Sequence, residues 1–303
     1  VFSPEMDYSL LDSNDVSSQA PRKSSRAKSL MQNFSAHPFE MVKSFWRNKR
    51  LILQLSKREV LGRYRGSALG LSWSFFNPIL MLVIYTFVFS VVFKARWGTG
   101  VDESKTDFAI ILFVGLFIHG FFAECINRSP TLITSNVSYV KKVVFPLEVL
   151  PWVAFTSALF HAAISLIVLL LAQLLINHSI PATALLLPIV VLPLLLGIMG
   201  LSWLFASLGV YLRDISQITA MFSTVLLFMS AVFFPITVLP EKYQFWIRIN
   251  PLASIIEQSR NVLVFGQMPD FTAWGIMLIF GTLLAWLGFA WFQKTRKGFA
   301  DVL

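Results

Sequence analysis

From Phe45 to Tyr64, cations interleave with apolar residues: Arg47, Lys49, Arg50, Lys57, Arg58 and Arg63 alternate with Phe45, Trp46, Ile52, Leu55, Val60, Leu61 and Tyr64. That pattern suits an amphipathic helix lying in a lipid interface, predicted over about 45–65. At Trp73 it gives way to a run without charge that ends only at Lys94. About 20 apolar residues, rising about 1.5 Å each, cross a bilayer core. Residues 73–93 are therefore the first of six predicted spans, followed by about 108–125, 150–176, 185–208, 215–234 and 272–292.

The connections differ in character. Residues 94–107 read as a short external loop, Asn177–Pro181 as a tight external turn and Tyr211–Asp214 as a turn on the opposite side. The stretch 127–149 is polar, with Arg128, Lys141, Lys142 and Glu148, and 135–146 has the makings of a short helix stopped by Pro146. A soluble partner would push there; a plain connection is the other reading, although most connections are shorter. Between Pro235 and Phe271 the chain is too apolar for a loop and too broken for a span. It reads as short helices dipping into the outer leaflet, where protein or a water-filled cavity must satisfy the backbone. Gly62, Gly66 and Gly70 recur every four residues. They serve either as a smooth helix face or as a turn into the first span.

Charge orients this array. Twelve of the 25 cations precede Trp73, and alternation then leaves 12, 3, 1 and 3 cations on inward segments against 3, 0 and 3 on outward ones. The bias places both termini in the cytoplasm, and the net charge of +9 becomes a topology and lipid-headgroup signal without nucleic acid as a partner. With 56% hydrophobic and 14% charged residues the chain is an all-α polytopic membrane protein, well below the charge content of about 25% in soluble domains. Residues 1–36, rich in Ser, Asp, Lys and Arg, read as a disordered cytoplasmic tail without a signal peptide, ahead of a membrane domain over 37–303.

Catalytic chemistry is sparse. The sequence contains no Gly-x-x-x-x-Gly-Lys-Ser/Thr phosphate loop, no His-Glu-x-x-His and no Gly-x-Ser-x-Gly. One cysteine, Cys125, excludes an intrachain disulfide and a multi-cysteine metal cluster. The expectation is no catalytic residue, no metal and no cofactor on this chain. Glu124, His119 and His161 are the ionisable residues within spans that an intramembrane transferase would have to use. For the histidines, packed and hydrogen-bonded roles are the simpler reading. Glu124 and Arg128 stand at i and i+4 and are expected to pair on one helix face.

Arg63-Tyr64-Arg65-Gly66-Ser67-x-Leu69-Gly70-x-x-Trp73, with Pro78 opening the first span, resembles the opening motif of the membrane subunit of polysaccharide-exporting ATP-binding-cassette transporters, the O-antigen, capsule and teichoic acid permeases. The resemblance continues through Lys141-Lys142-x-x-Phe145-Pro146, Tyr211-x-Arg213-Asp214, Phe234-Pro235, Asn250-Pro251 and Arg260, and covers about Leu51 to Leu303. It implies a homodimer in the cytoplasmic (inner) membrane with two copies of a separate ATP-binding subunit that holds ATP and Mg, moving a polyprenyl-diphosphate-linked polysaccharide. It also implies a coupling segment with Arg128, Asn136, Tyr139, Lys141 and Lys142, and external re-entrant helices over 235–266. Gly66, Gly70, Trp73, Pro78, Pro146, Arg213, Asp214, Asn250, Pro251 and Arg260 would be its structural positions. For the diphosphate, guanidinium is preferred over ammonium because it pairs phosphate bidentately, which singles out Arg58, Arg63 and Arg65. Anchoring to anionic lipid is the alternative role for the same arginines. An exporter of drugs or small lipids on the same scaffold is the rival substrate reading.

Overall fold

A computed structural model describes residues 37–92, 97, 105–141 and 145–303, and among these no strand occurs. The predicted tail over 1–36, Lys142 and most of the loop 94–107 lie outside the described residues. Helix α1 (Pro38–Arg63) starts seven residues before the amphipathic pattern does, because Pro38 sits in its first turn and the His37 side chain accepts from Phe39 N. Its buried stripe is Ser44, Ile52, Ser56 and Val60, spaced by multiples of four. The small serines let it lie close on α5 (Val149–Asn177), where Ile52 packs with Val149 and Val153 and Ser56 Oγ donates to Val153 O at 3.3 Å. Phe39, Trp46 and Leu53 face outward and exposed, the surface expected of a helix lying in lipid headgroups.

The chain turns into the first span through Gly66 (φ 85°) and Gly70 (φ 50°), with nothing within 4 Å of either position's missing Cβ. The glycines therefore serve the turn and not a packed face. Helix α2 (Trp73–Tyr85) follows and relaxes into a π-helical stretch, Thr86–Val92. Pro78 lies inside α2 and does not open it. Helix α3 (Lys105–Arg128) is the central pillar, with Ile110, Leu112, Val114 and Ile126 fully buried. Short 3₁₀ turns, Ser129–Thr131 and Thr134–Asn136, lead to α4 (Val137–Lys141), the short helix expected before Pro146.

After α5 the backbone turns through His178 in the left-handed region, and a 3₁₀ turn (Ala182–Leu186) enters α6 (Leu187–Tyr211). Helix α6 packs backbone to backbone on α10 (Phe271–Thr295). A Cβ on Gly288 would stand 2.0 Å from Gly200 O, and one on Gly281 2.4 Å from Pro193 O. Between these come α7 (Ile215–Met229), α8 (Glu241–Ile249) and α9 (Pro251–Arg260), and α11 (Phe299–Val302) closes the chain.

Among the described residues five helical stretches are long and apolar enough to cross a membrane: Gly70–Phe89, Phe108–Thr131, Val149–Asn177, Ala182–Tyr211 and Phe271–Val302. The predicted fifth span over 215–234 is shorter: α7 has 15 residues, about 22 Å of helix against a core of about 30 Å. The cause is capture of its continuing carbonyls. Asn250 Nδ2 donates to Met229 O (3.1 Å) and Ser230 Oγ (2.9 Å), and Arg260 donates to Ala231 O (2.9 Å) and Val232 O (2.8 Å), while Ala231 adopts φ 51°. The following segment forms the expected short helices, and its backbone is satisfied from outside. Gln173 donates to Leu263 O (2.8 Å) and Thr183 to Val262 O (2.7 Å).

Candidate functional site

Where α1 ends, its last turn meets α3 and α5. Helix α1 carries Glu59 and Arg63, and α3 carries Glu124 and Arg128, each pair four residues apart. Glu59 pairs with Arg128, and Arg63 Nη2 donates to Glu124 Oε1 at 2.5 Å. Arg128 Nη1 stands 3.7 Å from the same Glu124 oxygen. The expected i, i+4 pair is thus the looser arm of a four-charge ladder between two helices. His161 of α5 joins it, with Nδ1 3.1 Å from Arg63 Nη1 and 3.4 Å from Glu124 Oε1, and Nε2 3.2 Å from the Tyr64 hydroxyl. Nδ1 thus stands between a guanidinium that donates and a carboxylate that accepts, with Nε2 on the Tyr64 hydroxyl. Burial pushes the Tyr64 phenol above its usual range, a shift that Arg63 opposes and Glu124 reinforces. The hydroxyl therefore stays protonated.

This cluster rims a cavity of about 410 Å³ between α2, α3 and α5. Ser74, Asn77 and Ser165 continue the polar end, and Met81, Phe113, Leu116 and Phe117 line the other. Phe113 to Glu124 covers about 16 Å along the α3 axis at the helical rise. The cavity is thus polar at the end where α1 delivers Arg63 and apolar toward the opposite face, a shape that suits an amphiphile with an anionic head. His119 also lines it, and its Nε2 lies 2.9 Å from Ser223 O, a packed and hydrogen-bonded role.

Of the three arginines singled out for a diphosphate, only Arg63 lines this cavity; Arg58 and Arg65 are exposed and make no ion pair among the described residues. In the segment proposed for coupling, Asn136 Nδ2 donates to Leu132 O (2.9 Å), Tyr139 stacks on Phe145 at 4.5 Å, and Lys141 bonds the carbonyl of Leu303. Arg213 and Asp214 form the exposed turn between α6 and α7, Trp73 starts α2, and Pro146 precedes α5. Asn250 caps α9 by accepting from Leu252 N (3.0 Å), with Pro251 in its first turn. Arg260, only 3% exposed, also donates to Ile111 O (3.1 Å) and lies over Trp97, 4.3 Å from the ring centroid.

The sequence pattern passed over Glu59, and over a second pair that is buried where the first is half-exposed. Glu148 Oε2 accepts from Arg296 Nη1 at 2.5 Å and Glu148 Oε1 accepts from Ser44 at 3.2 Å, while Arg296 also donates to Phe145 O at 3.2 Å. This pair ties the residues after α4 to both α1 and α10. The repeated Glu-x-x-x-Arg spacing on α1 and α3 was the available signal for Glu59. Glu148 and Arg296, 148 residues apart, left none.

The comparisons agree with this architecture. Residues 50–264 match the family described as ABC-2 type transporter. The O-antigen export system permease protein RfbA of Myxococcus xanthus is 25% identical over 263 residues, 86% of this chain and 98% of its own. A Klebsiella pneumoniae protein of the same name is 26% identical over 255 residues, 84% of this chain and 95% of its own. The polysialic acid transport protein KpsM of Escherichia coli is 22% identical over 241 residues, 79% and 91% of the two chains. With most of its membrane domain matched by the family, the chain belongs to the ABC-2 type transporters.

Proposed function

We propose that the chain is the membrane subunit of an ATP-driven exporter that moves a polyprenyl-diphosphate-linked polysaccharide, of the O-antigen kind, out of the cytoplasm. The observation that carries the reading is the amphiphile-shaped cavity with Arg63, Tyr64 and His161 at its polar end. The names of the O-antigen and polysialic acid relatives supply the polymer class. ATP and Mg would be held by a separate cytoplasmic subunit that docks against the segment from Arg128 to Lys142. The exposed apolar faces of α2 (Phe76, Leu80, Val83) and α7 (Met221, Val225, Phe228) support a second copy of the chain as the partner across a translocation path. The cation bias supports an inner-membrane protein with both termini in the cytoplasm.

Deleting the gene and measuring surface polysaccharide together with polyprenyl-linked polymer inside the cell tests the reading. Loss at the surface with accumulation inside is expected. If both stay normal in a strain without a second permease, polysaccharide export is refuted. The rival is an exporter of small molecules or lipids, which needs no diphosphate contact. Arg63→Glu would abolish export under the first reading and leave it nearly intact under the second.

A further inference from the structure

The Glu124 carboxylate sits where an anionic ligand would sit. One oxygen serves Arg63 at 2.5 Å and His161 at 3.4 Å, both at the mouth of the cavity. A helix-to-helix clasp needs neither a cavity beside it nor a spare donor, and this one has both. Arg128 Nη1 is buried, makes no hydrogen bond, and is 3.7 Å from that same oxygen. A buried donor left unmade costs free energy that a new partner recovers. Glu124 therefore has a second seat one helical turn away.

We propose that Glu124 is an internal stand-in for the ligand's phosphoryl group, and that an oxyanion reaching Arg63 and His161 moves the carboxylate onto Arg128. The inference rests on the diphosphate reading above and adds its regulation. A diphosphate carries more charge than a carboxylate and engages guanidinium bidentately, so it wins Arg63 when present. With the cavity empty, Glu124 neutralises Arg63 and keeps stray anions out. The displaced carboxylate lands on the last residue of α3. Immediately beyond it Ser129 begins the turns leading to α4, and Ser129 Oγ holds Cys125 O at 2.6 Å. Occupancy of the cavity is thereby reported to the cytoplasmic segment through Arg128 and its partner Glu59.

The test uses the full chain in lipid nanodiscs, with farnesyl diphosphate as probe and farnesol as the uncharged control. Glu124→Gln removes the competitor, so the probe should bind roughly tenfold tighter, the effect of a single charge-assisted contact. Glu124→Asp, which keeps the charge and shortens its reach, should shift affinity the same way by less, and covers the case in which the glutamine variant does not fold. Arg63→Gln should lose binding. If Arg63→Gln binds as wild type does, the diphosphate reading itself falls. If Arg63→Gln loses binding but neither Glu124 variant gains any, the stand-in role is overturned and the diphosphate reading stands. In the complex with its ATPase subunit, Arg128→Lys should abolish stimulation of ATP hydrolysis by the probe; full stimulation would overturn the relay.

Discussion

The seam between α6 and α10 and the junction of α1, α3 and α5 belong to one membrane domain but are held together differently. At the seam, glycines place one helix backbone against the other, with Gly200 and Gly288 on facing surfaces, and the adjoining cavity of about 310 Å³ is lined almost wholly by apolar side chains such as Phe122, Pro193 and Phe280. At the junction, charges on three helices alternate around a cavity with a polar rim. Close-packed backbone contacts have one low-energy arrangement, since a shift of a few tenths of an ångström costs many contacts at once. Partly exposed ion pairs exchange partners for little, because water and neighbouring charges replace what is lost. The seam is therefore the part of the molecule that keeps its shape, and the junction the part that can respond.

The largest expected effect comes from breaking the seam. Gly288→Val would drive a Cβ into the Gly200 carbonyl, with backbone on both sides and no flexible side chain to yield. A loss of at least about 3 kcal/mol is expected, at the upper end of overpacking costs. It should appear as aggregation on size-exclusion chromatography of the detergent-extracted protein. A monodisperse variant with an unchanged melting temperature would deny the seam its rigid role.

Next in size is Arg260→Met. It orphans the buried carbonyls of Ile111, Ala231 and Val232 at about 1 kcal/mol each, near 3 kcal/mol in all. Its melting temperature should fall more than that of Arg260→Lys, which keeps the charge and some of the bonds. Glu148→Gln should cost about 2 kcal/mol, below the usual penalty for breaking a buried pair, because Arg296 keeps Phe145 O and Gln293 Oε1 as acceptors. A further readout distinguishes it from Arg260→Met: Glu148 joins α1 and α10 beside the segment proposed to dock the ATP-binding subunit, so coupling of ATP hydrolysis to export should suffer out of proportion to stability.

These residues also mark what was legible in the sequence. Each of the five long apolar stretches overlaps a predicted span, although Phe108–Thr131 and Phe271–Val302 run past the expected ends and the first continues its helix as a π turn, because unbroken apolar runs dictate helix in lipid whatever packs around them. The early end of α7 was hidden, since Asn250 and Arg260 act on the residues that follow it from 20 to 29 positions away. Arg63 and Glu124 were each visible as candidates, yet their meeting depends on where α1 crosses α3. Spacing within one helix says nothing of that angle. That Gly200 of α6 faces Gly288 of α10 depends in the same way on how two separate helices pack.

The smallest expected effect sharpens the comparison from the junction's side. Arg58→Gln and Arg65→Gln remove cations that are exposed, lie outside the cavity and pair with no carboxylate among the described residues. Stability should stay within about 0.5 kcal/mol, as for surface changes away from packed features. Affinity for farnesyl diphosphate in uncharged lipid should also hold, because screening by water and salt leaves an exposed charge little reach into the cavity. Binding of the chain's α1 surface to anionic vesicles is where these two residues should register, at about 1 kcal/mol per cation. Measuring both quantities on the double variant separates the two roles of a basic helix. If diphosphate affinity falls as far as it does in Arg63→Gln, recognition is spread along α1 and the cavity is not its focus.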